Sequence, residues 1–391
     1  MDISAYFKPL DQFKFASESE DSKSSRMYGI IEKYVEEDKF PDWTEANIAI
    51  IGVPEQRGAV NNKGCGKAPD FVRAKLYELR QAKYPYKIVD LGNLINGHSL
   101  NDTYSALAGI MAELLKSNVI PLIIGGSQDL TFAQYNAYQQ LEQTVNITCV
   151  DAFFDLGTTE EKIHSHSYVG KIILQEPNFL FNFSNLGYQT YFVGHNQVDL
   201  MEKLYFDAYR LGQVRKDMEE VEPIIRNADI VSFDITSVRF SDAPGNGKAS
   251  PNGFYGEEAC QIARYAGISD KLSSIGFYEI NPDLDKHGQT VHLVAQMIWY
   301  FIEGFYNRKK DLPLVNKSAF TKYRVAIKNS EHEIVFFKSK KSERWWMEVP
   351  YPSNKAKYER HHLVPCSYKD YETAVNQELP ERWWQALQKL S

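Results

Sequence analysis

The stretch CVDAFFDLG, Cys149 to Gly157, places Asp151 and Asp155 where an apolar run gives way to a loop. Carboxylates at such a point hold a cation or move a proton. The phenylalanines between them, Phe153 and Phe154, do neither. Three more segments of this kind carry polar groups at the same place: GGSQDLT supplies Gln128 and Asp129, SFDITSV supplies Asp234, and YEINP supplies Glu279. If all of them meet, the carboxylates repel one another unless protonated, paired with Arg or Lys, or neutralised by a cation. An oxygen-rich set suits a hard ion such as Mg²⁺ or Mn²⁺ rather than zinc. The residue types alone leave two readings open, a metal or substrate site and a row of ordinary strand-end caps. Asp129 reads as the cap of the helix that follows it.

Bringing these groups together is the task of a parallel sheet. Apolar runs rich in Ile and Val recur at Ile48 to Val53, Lys87 to Gly92, Ile120 to Gly126, Asn146 to Asp151, Thr190 to His195, Asp229 to Asp234 and Ser274 to Asn281. Runs that are apolar throughout and end in Gly or Asp fit strands covered on both faces. Between them lie helical patterns: Ala68 to Leu79 with an early proline, Asp102 to Ser117 opening on an acidic cap candidate, Glu257 to Gly267, and the long apolar Thr290 to Tyr306. Strand and helix in turn predict an α/β fold, an open and mostly parallel sheet with helices on both faces. Ligands then bind outside the carboxyl ends of the strands, where the carboxylates above are found.

The pattern divides the chain into an N-terminal extension over 1–45, a main domain over 46–308 and a C-terminal appendage over 309–391. Ser17 to Ser25, SESEDSKSS, reads as a mobile connection. In the appendage, Glu331 to Tyr351 predicts a hairpin around a charged turn, and LPERWWQALQKLS a short amphipathic helix. Its paired tryptophans, Trp345 with Trp346 and Trp383 with Trp384, are either partner anchors or the packing of the appendage; aromatics more often fill cores, so packing is the expectation. The net charge of −7 argues against nucleic acid as a partner. No apolar run reaches the roughly 18 residues of a membrane span. Four scattered cysteines without a C-x-x-C pair suit a reducing, cytoplasmic setting.

From about Ile48 to Tyr306 the chain resembles the ureohydrolases: arginase, agmatinase and formimidoylglutamase. GVPEQRGAVNNKGCGKAPDFVR (Gly52 to Arg73) is similar to the family's opening. GGSQDLT stands where the family has G-G-D-H-S-L-T, and DAFFD where it has D-A-H-x-D. SFDITSVRFSDAPG (Ser232 to Gly245) matches S-x-D-x-D with an A-P-G loop, and EINP (Glu279 to Pro282) matches E-x-N-P. One such motif would be weak; five in order are specific for the fold. The resemblance implies a three-layer α-β-α sandwich, a pair of manganese ions and hydrolysis of a guanidino or amidine C–N bond. It also implies a homo-oligomer.

The departures bear on activity. The family's six ligand positions fall on Gln128, Asp151, Phe153, Asp155, Asp234 and Thr236, where Gln128 and Phe153 would be histidines and Thr236 an aspartate. One metal position then keeps Gln128, Asp151, Asp155 and Asp234, able to hold one Mn²⁺ or Mg²⁺ weakly, or none. The other keeps Asp151 and Asp234 beside Phe153 and Thr236, and reads as lost. Water loses its proton near neutral pH only beside strong positive charge. The expectation is therefore a pseudoenzyme acting in binding or assembly, with an active one-metal hydrolase as the alternative. Glu279 matches the carboxylate that pairs with the substrate's guanidinium or amidine, so a small cationic ligand is expected. The appendage is the expected contact for a protein partner. His164 and His166 lie in the loop where arginases place a proton-shuttling histidine. On an extended loop the two share a face and could supply a base; the alternative is a pair of surface histidines.

Overall fold

The computed structural model describes residues 2–11, 25–313, 317–328, 333–352 and 356–390. Apart from Ser25, the Ser17 to Ser25 stretch lies outside them, as do the first two residues of the expected hairpin.

The main sheet is built from β1 (Phe7–Lys8), β2 (Ile31–Lys33), β3 (Ile48–Val53), β4 (Ile88–Leu94), β5 (Ile120–Gly125), β6 (Val145–Val150), β7 (Leu180–Tyr188), β8 (Asp207–Arg210), β9 (Ile230–Asp234) and β10 (Ser274–Tyr278). Its order is β1-β4-β3-β5-β10-β9-β6-β7-β8, with β2 also on β4. Only the β1–β4 pairing is antiparallel. The first 45 residues thus contribute two short strands to the sheet of the main domain.

The apolar runs make strands because both faces are covered, and the two faces alternate residue by residue. In β3, Ile48 and Ile50 pack with Val72, Leu76, Val294 and Ile298 in one core. Ala49, Ile51 and Val53 pack with Leu107, Ile110, Met111 and Ala133 in the other. Helices Ala68–Glu78, Gly256–Ile268 and Gln289–Tyr306 cover the first face, Leu100–Lys116 and Leu130–Gln140 the second. This is the expected three-layer sandwich.

The helix expected from Asp102 begins earlier. Ser99 is its N-cap, accepting from the Asp102 amide, and Asp102 completes a capping box by accepting from Ser99 N–H. Thr190 to His195 is not a strand: Thr190 to Gly194 leads by a turn into the helix His195–Lys203, and the strand before it is β7. The polar residues of β7 disguise it. Asn182 and Ser184 are buried because each donates to Asp207 of neighbouring β8, at 2.7 and 2.9 Å.

The appendage forms a second sheet, β11 (Phe320–Ala326), β12 (Glu333–Ser339), β13 (Trp345–Glu348) and β14 (Leu363–Cys366), antiparallel throughout. The expected hairpin is β12–β13, and the expected helix is Glu381–Leu390. Trp345, Trp346 and Trp383 are buried, while Trp384 stays 47% exposed, so the tryptophans mainly pack the appendage. The appendage docks on the amino ends of the strands. Buried Arg226 donates to the carbonyls of Trp345 (3.0 Å) and Cys366 (3.1 Å), and Arg360 pairs at 2.6 Å with Asp229, just before β9. His361 stacks on Phe181 of β7 at 4.0 Å. The carboxyl ends of the strands face the other way. Among the described residues no helix is long and apolar enough to cross a membrane.

Candidate active site

The strands that carry the candidate residues are neighbours in the sheet, in the order β5-β10-β9-β6. All are parallel, so Gln128, Glu279, Asp234, Asp151 and Asp155 emerge along one rim. The turn after β5 is held tightly. Gly126 accepts from Glu279 N–H at 2.9 Å, and Ser127 N–H donates to the Glu55 carbonyl at 3.1 Å. A Cβ on Gly126 would lie 1.6 Å from that carbonyl oxygen, which explains the glycine.

The rim is buried. Asp151, Asp155, Asp234 and Glu279 are each at most 6% exposed. Asp155 and Glu279 have positive φ, 50° and 62°. Such backbone costs on the order of 1–3 kcal/mol per residue and concentrates at functional sites. Every carboxyl is pushed up in pKa, and burial is the first cause in each case. Neighbouring carboxylates add to it: Asp155 on Asp151, Asp234 on Asp155, Asp151 on Asp234. Glu279 rises to about 8 through burial and then Asp234, against the hydrogen bonds from Asn62 and Gln128.

Those two bonds fix Glu279. Gln128 N–H donates to Oε1 at 2.9 Å and the Asn62 amide to Oε2 at 2.7 Å, while Asn62 Oδ1 accepts from Asn281 at 2.9 Å. Asp151 Oδ1 accepts from Phe153 N–H at 2.9 Å, and Asp234 Oδ1 from Thr236 N–H at 2.7 Å. Asp129 is buried and does not cap the helix it precedes; its carboxylate accepts from the Tyr104 hydroxyl instead.

His166 joins the rim, with Nδ1 3.0 Å from Asp155 Oδ1. Burial and then Lys248 lower its pKa to about 4. Burial lowers the pKa of the imidazole and raises that of Asp155, and both shifts work against an ion pair at this contact. His164 turns to the edge, 3.3 Å from Glu161, and its Nδ1 accepts from His166 N–H at 3.1 Å.

Phe153 has an aromatic and cationic setting. Its ring stacks on Phe192 at 4.8 Å, and Lys248 Nζ stands 4.6 Å from its centre. The Lys248 charge acts on Asp155, Asp234 and His166. Lys248, Phe192 and Asn62 were not legible as site residues. Only the doubled asparagine of the opening motif signals Asn62.

The donor set does not fit a manganese pair. Phe153 donates nothing, the Thr236 hydroxyl is a neutral donor, and an ammonium group stands beside the ring. Among the described residues no group of three or more His, Cys, Asp or Glu side chains is arranged to hold a metal ion. Among the buried atoms of the described residues that lack a hydrogen-bond partner are Gln128 Oε1, Asp151 Oδ2, Thr236 Oγ1 and His166 Nε2.

Fold and rim together define a class. A sequence profile of the arginase family matches residues 46–303, and the chain belongs to that family. Within it, the chain is similar to formimidoylglutamase of Staphylococcus haemolyticus (strain JCSC1435), 26% identical over 270 residues, covering 66% of this chain and 86% of that protein. The Staphylococcus aureus (strain MRSA252) formimidoylglutamase is 25% identical over 280 residues, covering 66% and 87%. Solved structures share the fold, two of them formimidoylglutamases. Trypanosoma cruzi formiminoglutamase with Mn²⁺₂ gives a TM-score of 0.65 at 23% identity, over 72% of this chain and 99% of that one. Formimidoylglutamase from Bacillus subtilis subsp. subtilis str. 168 gives 0.67 at 19% identity, over 77% and 97%.

Proposed function

We propose that this chain is a pseudo-ureohydrolase, an arginase-family fold kept for binding or assembly, with little or no hydrolysis. The observation that carries the reading is Phe153, with Lys248 Nζ 4.6 Å from its ring, where the resemblance puts a metal-binding histidine. A monovalent ammonium on a side chain can offset part of the carboxylate charge. It has no open coordination position at which to bind water and lower its pKa towards 7. Neutral His166 can accept a proton but has no activated water to take it from. The surface offered to a protein partner is the appendage, on which Trp384 is exposed, and self-assembly is the competing use of the fold.

The test is metal content. After incubation with excess Mn²⁺ and gel filtration, elemental analysis is expected to find less than one equivalent per chain. Arginine, agmatine, guanidinobutyrate, guanidinopropionate and formimidoylglutamate are expected to show no turnover above buffer. Two tightly held equivalents would overturn the proposal.

The unpartnered lone pairs on Gln128, Asp151 and Thr236 favour a second reading, one weakly held hard cation serving a formimidoyl or guanidino hydrolase. In that case Gln128, Asp151, Asp155 and Asp234 would hold the ion, and Glu279 would face the cationic substrate. Manganese-dependent turnover that disappears in Asp234→Ala is its expected signature. A wild-type chain inactive on the whole panel rejects it.

A further inference from the structure

Beside the carboxylate rim lies a cleft of about 940 Å³ with the opposite charge. Its wall carries Arg210, Arg215, Lys216 and Arg239 and no carboxylate, in a chain of net charge −7. Two of the cations are built into place. The Arg215 and Arg239 guanidinium groups lie on the Tyr255 ring, each 3.9 Å from its centre. Glu258 and Asp242 hold their Nε edges, both at 3.0 Å, so the stack orders two planar donors in advance. Among the described residues, Arg210 and Lys216 form no ion pair. The sum at the wall is two oriented guanidiniums and two uncompensated charges.

The cleft shares a wall with the rim. Gln189, one of its lining residues, donates from its backbone N–H to the Ala152 carbonyl at 3.0 Å, and from its side chain to the Asn252 carbonyl at 3.3 Å. Tyr191, also lining it, packs edge-on against Phe192, which stacks on Phe153.

We infer that this cleft binds a small organic anion bearing at least two negative charges, a phosphate ester or a polycarboxylate, held by Arg210 and Lys216 against the Arg215–Tyr255–Arg239 stack. Planar guanidiniums suit the paired oxygens of either group. The inference is independent of whether the rim hydrolyses anything.

Calorimetric titration of the full chain with pyrophosphate and with citrate, at matched ionic strength, tests it. Saturable binding of one equivalent of either is expected, weakened at least about tenfold in Arg210→Ala/Lys216→Ala. The double variant should keep the ligand-free thermal midpoint, since both side chains are exposed. Selective binding of pyrophosphate assigns the site to phosphoryl groups, and selective binding of citrate to polycarboxylates. No binding of either overturns the inference. So does binding that the double variant leaves intact, or that Lys310→Ala removes at the separate basic cavity near Lys271 and Arg308.

Discussion

The native chain is expected to lose stability as pH rises from about 6.5 to about 8, and Glu279→Gln to flatten that fall. An ordinary Glu titrates near 4.5, whereas buried Glu279 rises to about 8. Between those values the folded chain keeps a proton that the unfolded chain has lost. The stability linked to that proton is fully present below the lower value and is lost as pH climbs through the upper one, at up to about 1.4 kcal/mol per pH unit. His166 works the other way. Its pKa falls from 6.5 to about 4, so it removes stability as pH drops through that range and contributes nothing above it. The window above 6.5 therefore leaves His166 out. Glutamine there removes about 2 kcal/mol of pH-dependent loss across the window. It also costs a pH-independent hydrogen bond, because Gln128 N–H and the Asn62 amide both donate to Glu279 and glutamine offers one acceptor oxygen. Asn62 cannot turn over to compensate, since its oxygen already serves Asn281. That loss is about 1–3 kcal/mol. Chemical denaturation across pH should thus give a variant less stable near pH 6.5 but with a shallower slope. Parallel curves would show that Glu279 is already ionised, and that the rim holds more positive charge than Lys248 supplies.

The fold was legible because its strands are buried on both faces, which forces apolar runs such as IAIIGV and IPLIIG. β7 was missed for the complementary reason. Its buried Asn182 and Ser184 donate to Asp207 on another strand, and Asn182 accepts from Lys389 of the appendage, partners that local sequence cannot display. The aromatic run Thr190 to His195 resembles a strand because Phe192 is there to cover Phe153. The rim carboxylates were legible because each lies at or within a few residues of the carboxyl end of a strand. What modifies them was not. Asn62 meets Glu279 across 217 residues of chain, and Lys248 reaches Phe153 from a loop whose path depends on the A-P-G turn. Asp129 had the right position for a cap, but the Tyr104 hydroxyl, on a different helix, holds its carboxylate.

The larger effect is expected from returning the missing donors. Gln128→His, Phe153→His and Thr236→Asp together with Lys248→Ala should convert a chain that takes up less than one manganese into one that holds two. Three changes put two imidazoles and a carboxylate, stronger ligands than an amide, a phenyl ring and a hydroxyl, at positions the resemblance marks as ligands; the fourth removes an ammonium that would repel a dication from Asp155 and Asp234. The side chains themselves set only modest obstacles. Phe153 is only partly buried, and replacing it forfeits the stack on Phe192. Gln128 loses one bond to Ser232, 3.2 Å long. Against this, an ion that binds only the folded chain stabilises it by about 2.7 kcal/mol at a hundred times its Kd and about 4.1 at a thousand times. Because the carboxyls must shed their protons to ligate, manganese should also reverse the sign of the pH dependence, so that the loaded variant gains stability as pH rises. The triple variant that keeps Lys248 should bind more weakly than the quadruple one, and that comparison isolates the ammonium. If the quadruple variant takes up no more manganese than the native chain, four side chains do not account for the loss. The fixed backbone of the rim, with Asp155 and Glu279 both at positive φ, would then be what keeps its carboxylates from converging.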